Sequence, residues 1–142
     1  MCESLSGCTF YNCNQDIYII LYNDDTSDNN VEGRIRWTLA HELGHCMLQH
    51  LNTMSKYKAA ENSFGNIDEI NLQIETEADV FAANFLSPLP LFEKLHIQSP
   101  VDIKNTFGLS ALASNNRMQD YLKWKNTHFK CSYDNEMKKC FN

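Results

Sequence analysis

The sequence predicts an α+β fold in which a short N-terminal β-hairpin precedes a set of helices. Two runs rich in β-branched and aromatic residues flank a polar turn near the N-terminus, which is typical of a hairpin. Further along the chain, apolar residues recur at helical spacing. These stretches are bounded by residue types that are typical of helix ends. The length of 142 residues, with 43% hydrophobic and 21% charged residues, favours one globular domain.

This single domain is expected to contain four consecutive segments. A hairpin and a polar loop occupy residues 1–33, and two long central helices occupy residues 34–88. A helical subdomain follows over residues 89–125. Residues 126–142 form a tail that contains cysteine and lysine.

The hairpin strands are predicted over residues 9–11 and 17–22, with the polar turn 12–15 between them. Exposed strand edges can bind an extended peptide as an additional strand. The second strand is therefore the candidate edge for a bound peptide. Gly33 is predicted to open the first central helix, which extends to about Leu51.

The second central helix is predicted to begin with Asp68 as its N-cap. It should end near Ser87, because a residue before proline, here Pro88, disfavours the α region. A short helix over residues 88–96 is expected to follow.

Two further helices are predicted from their end signals. Ser99 is an N-cap followed by Pro100 at the first helical position, and this helix should stop at Gly108. Ser110 is then expected to cap a last helix that runs through Trp124.

The last two predicted helices are similar to a helix-turn-helix unit, so DNA binding is one alternative function. DNA-binding proteins usually carry a basic stripe that meets the phosphates. This chain has 12 Lys+Arg against 18 Asp+Glu and a net charge of −6. The supposed recognition helix offers Arg117, Lys123 and Lys125 beside Asp120. A subdomain that packs beside an active site is therefore favoured, and no direct nucleic-acid partner is expected.

The most informative motif is H-E-x-x-H at residues 41–45. Because residues four apart share a helix face, His41 and His45 can present two imidazoles to one metal ion. Glu42 lies about 100° round the helix, where its carboxylate can act as a catalytic base. Catalytic zinc sites use three protein ligands of these types and keep one position open.

A second predicted helix offers the third ligand. Glu75 and Asp79 are four residues apart, so Glu75 can bind the metal while Asp79 orients one of the histidines. Glu77 is the competing ligand, but it lies about 200° round the helix from Glu75. His50 follows His45 by five residues and is expected to point away from the metal. These helices behind a hairpin predict a minimal zincin-like domain.

Three blocks of the sequence resemble the ImmA/IrrE family of metallo-endopeptidases. They are YIILYND at residues 18–24, RIRWTLAHELGH at residues 34–45 and ETEADVFAANFLSP at residues 75–88. The resemblance covers about residues 9 to 120, and the blocks occur in the family's order. The chain departs from the family pattern in its short segment before the first block and in its tail.

The resemblance implies a zinc endopeptidase that cleaves a helix-turn-helix repressor and so relieves repression of a mobile element or stress regulon. Position by position, it implies His41, His45 and Glu75 as zinc ligands and Glu42 as the catalytic residue. An alternative is a metal-binding anti-repressor that sequesters the repressor without cleaving it. The oxyanion partner is not assigned, and Tyr57 and His96 are both more typical of structural positions.

The six cysteines contain no C-x-x-C pair. A cytoplasmic location is expected, because the N-terminus has neither the basic segment nor the apolar core of a signal peptide. Disulfides are then not expected. A second, structural zinc site would require Cys8, Cys13, Cys131 and Cys140, whose spacing is loose for that purpose. Cys46 is interpreted as a small core residue.

Overall fold

The computed structural model describes residues 6–24, 31–51, 67–127 and residue 139. Two strands and five helices occur within these ranges. They are β1 (Gly7–Asn12), β2 (Ile17–Tyr22), α1 (Val31–Met47), α2 (Ile67–Leu86), α3 (Pro90–Lys94), α4 (Pro100–Phe107) and α5 (Ala111–Asn126). The predicted α+β class is confirmed. The chain divides into two compact units, Met1–Ala82 and Ala83–Asn142.

In the first unit, β1 and β2 form an antiparallel two-stranded sheet. Thr9 pairs with Ile20, and the register runs from Gly7 opposite Tyr22 to the turn. Both strands contact α1. Strand β1 lies close to α1 at Gly7, where an added Cβ would be 2.4 Å from Thr38 Cγ2.

Helix α1 begins at Val31, so Gly33 lies inside its first turn and does not open it. The acidic Glu32 in that turn is favourable to the helix dipole. The helix ends at Met47, before the predicted Leu51. It stops there because Gln49 adopts a left-handed backbone conformation, with φ 57°, which turns the chain out of the helix.

Helix α2 buries one stripe of small and branched residues at helical spacing, Ile74, Ala78 and Ala82. It begins at Ile67, so Asp68 is its second residue and the predicted N-cap is wrong. Capping patterns place helix ends only to within one or two residues. The predicted end near Ser87 is confirmed, since the last helical residue is Leu86.

The second unit has its own core, formed by Phe92, Ile97, Ile103, Leu109 and Tyr121. The Phe92 ring stacks on Phe107 and contacts the Tyr121 ring, with centroids 5.3 and 5.1 Å apart. Helix α3 is shorter than predicted, because His96 takes a left-handed conformation with φ 54°.

The predicted caps of α4 and α5 are confirmed. Ser99 and Asp102 form a reciprocal capping box at the start of α4, and Gly108 ends the helix with φ 66°. The Ser110 hydroxyl accepts a hydrogen bond from the Ala113 amide at the start of α5. Helix α5 continues two residues beyond the predicted Trp124, to Asn126.

Arg117 of α5 is buried, with 6% of its surface exposed. Its Nε and Nη2 donate to the Ser87 carbonyl at 3.0 and 2.9 Å, and Nη2 also donates to Asn84 Oδ1 at 2.7 Å. One of the three basic side chains of the supposed recognition helix therefore faces inward and caps the carbonyl that follows α2.

None of the helices in the described ranges is both long and apolar enough to cross a membrane. Cys8, Cys13 and Cys46 are free thiols. Burial raises the pKa of Cys46, in keeping with a partly buried packing residue. Cys131 and Cys140, the other half of the candidate second zinc site, lie outside the described residues.

Candidate metal centre

His41 and His45 of α1 and Glu75 of α2 bring three candidate ligand atoms within 4.8 Å of one another. The Nε2 atoms of the two histidines are 3.0 Å apart. Glu75 Oε2 lies 3.1 Å from Nε2 of His41, and Glu75 Oε1 lies 3.7 Å from Nε2 of His45. Two ligand atoms at about 2.0–2.2 Å from one tetrahedral ion lie about 3.4 Å apart. The three separations therefore bracket the spacing that such an ion requires.

Asp79, one turn beyond Glu75, contacts the other nitrogen of the His41 ring. Its Oδ1 lies 2.9 Å from His41 Nδ1. Because an ionised carboxylate only accepts hydrogen bonds, Nδ1 of His41 must donate. In a neutral ring the proton is then on Nδ1, and Nε2 has a lone pair that faces His45 and Glu75.

His45 has a different partner on its Nδ1 side. His50 Nδ1 lies 2.9 Å away, and His50 Nε2 lies 3.1 Å from Glu77 Oε2. The prediction that His50 points away from the metal is wrong. It assumed that the helix continues to residue 50, whereas α1 ends at Met47 and the turn at Gln49 directs the His50 ring toward His45.

The contacts of His50 and Glu77 favour one tautomer of His45. Hydrogen bonds from Gln73 and then His50 lower the pKa of Glu77, so this carboxylate is an acceptor at neutral pH. His50 Nε2 therefore donates to Glu77, and Nδ1 of a neutral His50 accepts from Nδ1 of His45. This leaves Nε2 of His45 with a lone pair directed at Nε2 of His41.

With both rings neutral and in these tautomers, two imidazole lone pairs and the Glu75 carboxylate face one another. Such a set repels itself unless a cation lies at its centre, and neutral imidazole with carboxylate is a donor set typical of zinc. Burial lowers the pKa of His45, although the charge of Glu75 opposes this shift. The lowered pKa favours the neutral ring that binds a metal. The residues therefore fit a divalent metal ion.

Glu42 lies next to this centre and is buried, with 8% of its surface exposed. Thr9 Oγ1 of β1 is 2.6 Å from Glu42 Oε2 and 3.2 Å from the Glu42 carbonyl oxygen. Glu42 lines a cleft of about 310 Å³ together with the three candidate ligands. Residues of β1 form one side of the cleft, and those of β2 do not line it.

A family model described as the IrrE N-terminal-like domain, Peptidase_M78, matches residues 9–119. The chain belongs to this family. The matched region contains the hairpin, the candidate ligands and Glu42. Searches of the curated proteins and of the solved structures returned no significant match.

Membership of the IrrE-like peptidase family indicates a metallopeptidase-like role, in keeping with the His41, His45 and Glu75 cluster. Glu77, the competing ligand, lies against His50 and Gln73 instead of joining this cluster. Asp79 lies against the outer nitrogen of His41, where it can orient the ring.

Two residues of this IrrE-like site escape the sequence patterns. His50 is missed because its position depends on where α1 ends. Thr9 is missed because a threonine in a hairpin is ordinary, and only the packing of β1 on α1 brings it to Glu42. Of the two residues considered as oxyanion partners, Tyr57 lies outside the described residues and His96 belongs to the second unit.

Proposed function

We propose that this chain is a zinc-dependent endopeptidase. The observation that carries the proposal is the convergence of three candidate ligand atoms from His41, His45 and Glu75 beside the buried carboxylate of Glu42. Zinc is the proposed ion because catalytic zinc sites combine three nitrogen and oxygen ligands with one open position. When bound, zinc supplies Lewis acidity that polarises a peptide carbonyl and makes water more acidic.

Glu42 supplies the proton transfers in this proposal. Its Oε2 is held by the Thr9 hydroxyl, while Oε1 has no hydrogen-bond partner among the described residues. Glu42 takes a proton from the attacking water and then delivers it to the leaving amine. General-base assistance of this kind is typically worth about 10²–10⁴-fold in rate.

The cleft geometry favours an extended or locally unfolded substrate segment. Gly7, Cys8 and Thr9 of β1 line the cleft beside Glu42, so β1 is the strand along which we place the peptide backbone. The sequence alone predicts instead that the peptide would bind along β2.

The proposed substrate is a helix-turn-helix repressor, as the family resemblance implies. A net charge of −6 is suited to a partner that is basic where it meets DNA. Cleavage would relieve repression of a mobile element or stress regulon, and a DNA-binding substrate implies action in the cytoplasm.

Co-expression with a repressor encoded nearby tests this function. We expect mass spectrometry to find one discrete fragment pair with the wild type and with Glu32→Gln, a matched change at an exposed position of α1. Zinc-loaded Glu42→Gln should leave the repressor intact. An intact repressor that co-elutes with the zinc-loaded wild type would favour sequestration, and a shift of operator DNA by this chain alone would favour DNA binding.

A further inference from the structure

We propose that His50 and Glu77 are positioning residues for His45, which hold its ring so that Nε2 faces the metal. The inference rests on the proposed function, since it assumes that His45 is a metal ligand. It concerns two residues that are not ligands themselves and that act through a chain of hydrogen bonds.

The chain begins on α2 and ends at the ligand. Gln73 Nε2 donates to Glu77 Oε1 at 2.8 Å, and Glu77 Oε2 accepts from His50 Nε2 at 3.1 Å. His50 Nδ1 then lies 2.9 Å from His45 Nδ1. Each nitrogen of the His50 ring therefore has one partner, and these partners favour the neutral His50 tautomer with its single N–H on Nε2 and the neutral His45 tautomer with its N–H on Nδ1.

The burial of His50 and the direction of its ring both support a positioning role. His50 is 3% exposed, although it lies three residues beyond the end of α1, where a histidine is ordinarily accessible to solvent. A non-glycine left-handed residue, Gln49, precedes it and turns the ring back toward α1. A buried imidazole requires hydrogen-bond partners, and both of its partners lead to the metal centre or to α2.

The two ligand histidines are consequently held in different ways. His41 donates directly to Asp79, a residue whose side chain is 58% exposed. His45 Nδ1 instead contacts the buried imidazole of His50, and Glu77 of α2 contacts the other nitrogen of that imidazole. Loss of such an orienting partner commonly costs about 10–100-fold in metal affinity or activity.

Four variants of the full chain test the proposal. His50→Leu removes both hydrogen bonds and fills the space of the ring with an apolar side chain. His50→Asn keeps an amide acceptor near the position of Nδ1. Glu77→Gln removes the charge behind His50, and Thr76→Ala is the matched control on α2, since the Thr76 hydroxyl bonds the Leu72 carbonyl at 2.7 Å.

The measurements are zinc affinity by competition with a chromophoric chelator and the visible absorption of the cobalt-substituted protein. We expect His50→Leu to weaken zinc binding about 10–100-fold and Glu77→Gln about tenfold. His50→Asn should recover most of the loss, and Thr76→Ala should match the wild type. The cobalt bands should shift in His50→Leu, because a rotated His45 ring changes the ligand field, whereas a general loss of stability would leave them in place.

Wild-type zinc affinity and wild-type cobalt bands in folded His50→Leu would overturn this inference while the proposed zinc site stands. If His50→Leu does not fold, Glu77→Gln provides the test. A zinc affinity of Glu77→Gln equal to that of Thr76→Ala would then overturn the inference. A wild type that binds no zinc, or binds it as well after His45→Ala, would overturn both the inference and the proposed function.

Discussion

Gly44 of α1 lies so close to Ala78 of α2 that a Cβ at residue 44 would be 3.2 Å from the Ala78 Cα and 3.3 Å from its carbonyl oxygen. These contacts are with backbone, which cannot move aside as a flexible side chain can. Gly44 directly precedes His45, and Ala78 lies between Glu75 and Asp79. The missing side chain at residue 44 therefore allows the close approach that brings the candidate ligands of the two helices together.

Gly44→Ala should force α1 and α2 apart and weaken zinc binding. Within a helix, alanine is more favourable than glycine by about 1 kcal/mol, whereas overpacking costs about 1–3 kcal/mol. The free energy of unfolding should therefore be unchanged or moderately lower. The metal site should suffer more, because ligand geometry tolerates little displacement. Chelator competition with a parallel thermal unfolding curve measures both effects. A variant with higher stability and unchanged zinc affinity would show that the helices do not need this close approach.

The ligand set predicts a clear pattern of metal content. His41→Ala, His45→Ala and Glu75→Ala should each lose stoichiometric zinc, because only two protein ligands remain. Glu77→Ala should still bind one zinc per chain at saturating metal, with lower affinity. Metal analysis after dialysis against a defined zinc buffer measures the content. Zinc retained in Glu75→Ala but lost in Glu77→Ala would show that the wrong carboxylate has been chosen.

Asp79→Ala should weaken zinc binding about 10–100-fold without abolishing it. The reason is that Asp79 orients His41 through the 2.9 Å contact at Nδ1 and does not belong to the three converging ligand atoms. Isothermal titration of the apo-protein with zinc measures the change. Complete loss of binding, as in His41→Ala, would instead indicate that Asp79 is a ligand.

Thr9→Val should keep zinc and lower cleavage. The change preserves the branched shape of the side chain and removes the hydroxyl that lies 2.6 Å from Glu42 Oε2. A hydrogen bond to a charged group contributes about 1.5–3 kcal/mol, so kcat/KM should fall at least about tenfold if this contact positions the carboxylate. Steady-state cleavage assays of the zinc-loaded variant and wild type measure this fall in kcat/KM. Equal cleavage by the variant and the wild type would limit Thr9 to a packing role.

Asp102→Asn should destabilise the chain at neutral pH but not in acid. Hydrogen bonds from the Gln98 amide and from Ser99 hold the pKa of Asp102 below its ordinary value. A lowered folded-state pKa contributes stability above the unfolded-state pKa, and this contribution is lost as the pH falls through the lowered value. Denaturant unfolding of wild type and variant at several pH values measures the difference. A difference that persists at the acid end would contradict the capping role of the charge.

Local patterns in the sequence determine much of this molecule. Two runs rich in β-branched and aromatic residues around a polar turn specify β1 and β2. The Ser99, Gly108 and Ser110 signals specify where α4 begins and ends and where α5 begins, because these preferences act within a few residues. The same holds for His41 and His45, since the helical repeat alone puts them on one face. Glu75 and Asp79 are identified as candidates by that repeat, although it cannot measure their distance from α1.

The tertiary structure decides the remaining features of the site. Glu75 reaches the histidines because Gly44 and Ala78 allow a close helix contact, and Thr9 reaches Glu42 because β1 packs on α1. His50 illustrates the physical reason most clearly. Helical phase predicts an orientation only while the helix continues, and a single left-handed residue at Gln49 reverses the direction of the ring that follows. Contacts between distant segments depend on packing and on where each element ends, which a local pattern does not contain.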